Sequence, residues 1–173
     1  MNGTDEGARG EILLYQTTDG QTRVECRFAD ESLWMSQALI AELFQVTVPT
    51  VNEHLSNIYD GAELSPEATI RKFRIVRLEG EREVTRTIEH YNLDAILAVG
   101  YRVRSTRGTQ FRQWATERLR EYLVKGFTMD DERLKNPPID GSGIPDYFDE
   151  LLERIRDIRA SEKRMYLLVK EIF

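Results

Sequence analysis

His54, His90 and Cys26 are the side chains best suited to cutting bonds or holding a metal, and their spacing supports neither. No HExxH, CxxC, GxxxxGK[ST], GxSxG or dinucleotide-binding glycine pattern occurs. His54 beside Glu53 reads as a surface pair. The acid pairs Asp130-Asp131 and Asp149-Glu150 lie in or beside a Pro- and Gly-bearing stretch, where general acid–base work would lack fixed geometry. Neither a catalytic residue nor a metal or cofactor is expected. A different chemistry is better represented. Thr47, Thr50, Asn52, Glu53, Ser56 and Asn57 are short hydrogen-bonding side chains of the kind that reach base edges. Arg71, Lys72, Arg74, Arg77, Arg102, Arg104, Arg107 and Arg112 are cations that could neutralise phosphate.

The elements that would position the first set lie in WMSQALIAELFQVTVPTVNEHLSNIY, residues 34–59, which reads as a helix-turn-helix. Ser36 and Thr47 are suited to cap the two helices, each hydroxyl accepting from a free backbone N–H. Leu39, Ile40, Leu43 and Phe44 give the first helix an apolar face; Val51, Leu55 and Ile58 give the second a stripe at i, i+4, i+7. Ala41 is small enough for a close crossing. Pro49 falls in a first turn, where its missing N–H costs nothing. With that stripe buried, Thr47, Thr50, Asn52 and Ser56 face outward. A helical hairpin of purely structural purpose needs the same caps and stripes. Gln45 stands in the turn, where Gly is commonest, and Glu42, Glu53 and Asp60 would repel phosphate.

Net charge is −6 over 173 residues, which alone disfavours a polyanionic partner. Fields act locally, however, within about 8–10 Å at ordinary salt. Residues 1–70 carry −9, residues 71–125 carry +6 and residues 126–173 carry −3. The basic middle is the segment suited to an anionic partner. No apolar run of the roughly 18 residues needed to span a bilayer is present, and the polar start MNGTDEGARG lacks a signal-peptide core. A single cysteine excludes an intrachain disulfide and suits a reducing, cytoplasmic setting, with Cys26 as a small buried apolar group.

Residues 11–15 and 22–28 alternate as two strands about Asp19-Gly20, and residues 32–35 add a third short strand. After a polar connector at 60–67, residues 70–78 and 83–88 form a second hairpin about Glu79-Gly80. This hairpin carries Arg71, Lys72, Arg74, Arg77, Arg82 and Arg86, so it reads either as a DNA-contacting wing or as a solvated edge guarded by charge. A short helix over 93–99 follows Asn92 as cap and ends at Gly100. The next helix, 109–125, places Phe111, Ala115, Leu119 and Tyr122 on one stripe and ends at Gly126. Residues 128–145 read as a linker. Beyond it, Phe148, Leu151, Ile155, Ile158, Met165, Val169 and Ile172 alternate at spacings of 3 and 4, a heptad seam interrupted by Glu162. Such a seam suits a paired helix, or one packed back on its own domain.

YNLDAILAVGYRVRSTRGTQFRQWATERLREYLVKGF, residues 91–127, resembles the signature of the RhuM virulence-protein family, and residues 33–59 resemble that family's N-terminal region. The resemblance spans roughly residues 11–135. The pattern Phe111, Trp114, Leu119, Tyr122, Gly126 is more distantly similar to the end of BRO-N/KilA-N-type phage DNA-binding domains. Membership implies association with pathogenicity islands and mobile elements. Family members tend to carry Gly where this chain has Gln45, and they are longer. This chain stops at Phe173 within a helical pattern, so it is expected to be a shortened form, any further activity lying outside it. Some relatives are fused to Fic/Doc-type domains, but no HPFx[DE]GN-like motif is present to carry that activity over.

The expectation is therefore an α+β chain. Residues 1–10 form a flexible start, 11–127 a winged helix-turn-helix-like domain with β-hairpins, 128–145 a linker, and 146–173 one long oligomerisation helix. Its function would be duplex DNA binding as a homodimer or higher oligomer, without enzymatic activity and without a membrane, as a mobile-element or virulence-associated regulator. The alternatives are a protein-interaction or antitoxin-like adaptor module, and an unrecognised nuclease.

Overall fold

The structure, a computed structural model, describes residues 8–12, 24–80, 82–137 and 146–172. It is α+β and divides into two units, residues 1–128 and 129–173. The first unit is built on an antiparallel sheet of strands β1 (Ala8–Ile12), β2 (Val24–Ala29), β3 (Ser32–Ser36), β4 (Ile70–Glu79) and β5 (Arg82–Asn92), in the order β1-β2-β3-β5-β4. The first strand begins ahead of the expected domain start at residue 11. Its partner β2 is described from Val24 onward, and the expected Asp19-Gly20 turn lies outside the described residues. Asp30 and Glu31 join β2 to β3 with φ of 47° and 57°, the doubly left-handed form that matches strand twist. Gly80, at φ 67°, begins the turn between β4 and β5. Both strands of that hairpin run further than the sequence suggests, so His90, beyond the expected strand end at residue 88, is inside β5.

Side chains alternate across the sheet. Cys26, Leu33, Met35 and Tyr91 enter the main core from one face. Helices α1 (Gln37–Phe44), α2 (Val48–Asp60), α4 (Leu93–Arg102) and α5 (Thr106–Lys125) supply the rest of that core, and α3 (Pro66–Thr69) is a single turn leading into β4. Ser36 accepts from the Leu39 N–H at 3.4 Å and Thr47 from the Thr50 N–H at 3.3 Å, as their residue types lead one to expect. Gln45 lies between the two helices at φ 51°, ψ 51°, and the Val46 N–H bonds back to the Ala41 carbonyl at 2.9 Å. Ile40, Ala41, Leu43 and Phe44 are buried against Val51, Leu55 and Ile58. Each fully buried large apolar side chain contributes roughly 1.5–3 kcal/mol.

Gly100 does not end the fourth helix. It lies inside α4, buried, and a Cβ there would fall 2.7 Å from both the Phe44 and Phe111 rings. Sequence marks it as a breaker; packing makes it the point where α5 closes on α1. The fifth helix also starts earlier than expected, because Ser105 caps it: its Oγ accepts from the Gly108 N–H at 2.9 Å and donates to the Phe44 carbonyl at 2.7 Å. Phe111 is buried and Trp114 half-buried, but Leu119, Tyr122 and Leu123 stand in solvent, with Leu123 72 % exposed.

In the second unit, α6 (Asp131–Lys135) occupies part of the expected linker, where Asp130 accepts from the Arg133 N–H at 3.1 Å. The single long helix expected from 146 to 173 is two: α7 (Phe148–Ala160) and α8 (Glu162–Ile172). Ser161 leaves helical geometry at ψ 114°. Serine competes for backbone hydrogen bonds and so tolerates a break that alanine or leucine would resist. Phe148, Ile155, Ile158 and Val169 of the expected seam are exposed and Leu151 is half-buried. The side chains of Met165 and Ile172 lie outside the description.

Candidate nucleic-acid interface

The buried stripe of α2 leaves its opposite side to water. Thr47, Asn52, Glu53, Ser56 and Asn57 are exposed and Thr50 is half-buried, its hydroxyl 2.9 Å from that of Thr47. One flank of the helix, marked by Asn52, Ser56 and Tyr59 at spacings of four and three, is tied at one end to Tyr91 of β5 and at the other to Thr69, the last residue of α3. Gln37, at the start of α1, donates through Nε2 to Asn52 Oδ1 at 3.3 Å and to the Tyr91 hydroxyl at 2.8 Å. At the far end the Tyr59 and Thr69 hydroxyls lie 3.0 Å apart. Since Thr69 donates to the Ser65 carbonyl at 2.8 Å, Tyr59 is the donor of that pair. Burial pushes both phenols up, reinforced by the nearby Glu89 charge, so each keeps its proton.

The strand register decides which cations share this side. Ile70 pairs with Tyr91, Lys72 with Glu89 and Arg74 with Thr87. Lys72 and Arg74 therefore continue outward on the sheet face that carries Tyr91, the face to which α2 is tied. Both are exposed. Lys72 Nζ is 3.8 Å from Glu89 Oε1, with both side chains more than half exposed, a contact too wet to hold the lysine.

Arg71 points to the other face. Its guanidinium lies 2.5 Å from Asp30 and sits 5.2 Å above the Trp34 ring. Trp34, Phe73, His90 and Arg27 gather beside it, with Phe73 edge-on to both Trp34 and His90. His90 is 1 % exposed. Burial holds its imidazole below the ordinary histidine range, and the Arg27 charge adds to that.

The structure thus divides the expected phosphate ligands. Lys72 and Arg74 share the α2 side, and Arg104 is exposed in the loop between α4 and α5. Arg107 is half-buried in the first turn of α5. Arg71 belongs to the aromatic cluster. Arg102 forks onto the Glu63 carboxylate and also donates to the Ala98 carbonyl at 3.0 Å. Arg112 donates to the Val103 carbonyl at 2.9 Å and to Thr109 Oγ1 at 3.2 Å, closing the end of α4. The Arg77 side chain lies outside the description. Gln37 and Tyr91 are missed by sequence reasoning: they stand 54 positions apart, and no spacing rule links them.

Among the described residues, no group of three His, Cys, Asp or Glu side chains could hold a metal ion, and no helix is long and apolar enough to cross a membrane. The family model described as Virulence protein RhuM family matches residues 68–173, from the base of the β4–β5 hairpin through α8. Neither a curated protein nor a solved structure matches the chain.

Proposed function

We propose that this chain, which belongs to the virulence protein RhuM family, is a DNA-binding module that lays α2 in the major groove of a duplex and sets the β4–β5 hairpin against the flanking backbone. The observation that carries this reading is the shared side: the exposed polar row of α2 and the exposed pair Lys72 and Arg74 stand on one face of the sheet. In that arrangement α1 and α2 act as a helix-turn-helix and the hairpin as its wing. Thr47, Thr50, Asn52 and Ser56 meet the groove, and Lys72 and Arg74 meet phosphate. Arg104 extends the positive surface.

Titration of a labelled duplex at increasing salt tests this. Binding should weaken steeply as salt rises. The Lys72→Ala, Arg74→Ala double variant should lower the slope by about two units, roughly one per lost phosphate contact. Arg71→Ala, on the opposite face, should leave the slope as it is. Absence of binding at the lowest salt, or an unchanged slope in the double variant, defeats the proposal.

A second reading, a protein-interaction module, draws on the exposed apolar end of α5 at Leu119, Tyr122, Leu123 and Val124. Such contiguous apolar surface is a common mark of a protein contact.

A further inference from the structure

Asparagine in a recognition helix commonly reads adenine, because its amide offers one acceptor and one donor to the N6 amino group and N7 of that base. In Asn52 the acceptor half of that pair is already engaged. Its Oδ1 accepts from Gln37 Nε2 at 3.3 Å, and the same Gln37 nitrogen donates its other hydrogen to the Tyr91 hydroxyl at 2.8 Å. The Tyr91 ring is buried in the core, so the relay is anchored at its inner end. Gln37 is half-buried and Asn52 exposed. The chain Tyr91–Gln37–Asn52 thus turns the amide carbonyl inward and leaves the two Nδ2 hydrogens facing out.

Resting on the DNA-binding reading, we infer that Asn52 is a specificity-determining residue that donates through Nδ2 and selects guanine, with Gln37 and Tyr91 as its positioning residues. Guanine presents two acceptors, O6 and N7, in the major groove; adenine pairs one acceptor with a donor. Two outward N–H bonds match the first pattern. Against adenine they would leave its amino group without an acceptor, a mismatch that burial makes costly.

The experiment is selection from a duplex library with a fully randomised core, using the full chain, followed by affinity measurement on the enriched site and its single-base variants. Four proteins are compared: the parent, Asn52→Ala, Gln37→Leu and Tyr91→Phe. The parent should enrich a site with guanine at one position and bind the adenine variant on the order of tenfold more weakly. Asn52→Ala should lose the preference at that position alone, so that the guanine and adenine variants of the site bind it equally. Gln37→Leu releases Oδ1, so its preference should move from guanine towards adenine. Tyr91→Phe, which removes only the anchoring hydroxyl, should move it the same way by less. A merely structural role for Gln37 would lower all affinities together and leave the base preference in place. Adenine in the parent site, or an unaltered preference in either Asn52→Ala or Gln37→Leu, overturns the assignment while DNA binding stands. A library that is not retained at the lowest salt overturns the DNA-binding reading and this assignment with it.

Discussion

His90 shows how burial sets a residue's behaviour. Its ring packs edge-on to Phe73 with centroids 4.9 Å apart, and Nδ1 donates to the Ile88 carbonyl at 3.0 Å. Desolvation lowers its proton affinity in the folded chain. The unfolded chain, with an ordinary pKa of about 6.5, therefore takes up the proton first as pH falls. Stability contributed by the neutral ring is complete above that value and is lost progressively below it. Urea midpoints measured from pH 7.5 down to pH 5 should fall for the parent, and the slope should be shallower in His90→Gln. Equal slopes in the two proteins would show that the histidine is not the group titrating. Gln45 offers a second test. It holds a left-handed conformation that costs a non-glycine residue roughly 1 kcal/mol. Gln45→Gly should raise the free energy of unfolding by up to about that amount, since the Cβ cost disappears while chain entropy offsets part of the gain.

Among the elements, α4 and α5 depend on two close approaches. A Cβ at Gly100 would meet the Phe44 and Phe111 rings at 2.7 Å, and one at Gly108 would meet the Val103 carbonyl at 2.8 Å. Neither neighbour is the loose end of a flexible side chain. Gly100→Ala should therefore destabilise the first unit by about 1–3 kcal/mol, as overpacking does, despite alanine's better helix propensity. A thermal midpoint equal to or above that of the parent would mean the rings can shift freely. The β4–β5 hairpin illustrates the opposite case. Its outward half carries the pairs Arg74–Thr87 and Val76–Thr85, in which Val76 is the one apolar member, on the face that holds Lys72. Charge along an edge strand protects it from pairing with another sheet, so the same lysine and arginine that suit phosphate also keep the edge soluble.

For the whole molecule, the exposed apolar residues of the second unit carry the prediction. Phe148, Ile155 and Ile158 on α7 and Tyr166, Leu167, Leu168 and Val169 on α8 are all exposed in a single chain. Surface of that kind is normally covered, and two copies would place two α2 helices on one duplex. The intact chain should scatter light as a dimer or larger at tens of micromolar. A version ending at Asn136, or carrying Ile155→Glu and Ile158→Glu, should be monomeric. A monomeric mass for the intact chain refutes this. Equal oligomeric masses for both lengths would move the contact into the first unit, where Tyr122 and Leu123 are exposed.

The helix pair at 37–60 was legible from residues alone because caps and stripes are local: Ser36, Thr47, Pro49 and the buried Val51, Leu55 and Ile58 act within a turn or two of the chain. The β4–β5 hairpin, the Asn92 cap and the Gly126 stop were legible for the same reason. Which arginines face solvent was not. Arg102 meets Glu63, 39 positions away, and Arg71 meets Asp30 across a sheet whose strand order crosses over. Composition counts such charges alike, whether paired or solvated. Gly100 and Ser161 mark the two directions of the same error. Local propensity ended a helix where packing required glycine to continue it, and heptad spacing ran a helix through a serine where the backbone breaks. Contacts between residues distant in sequence decided each of the long-range cases, Arg71, Arg102 and Gly100, because burial and pairing energies are assigned only once the chain has closed on itself.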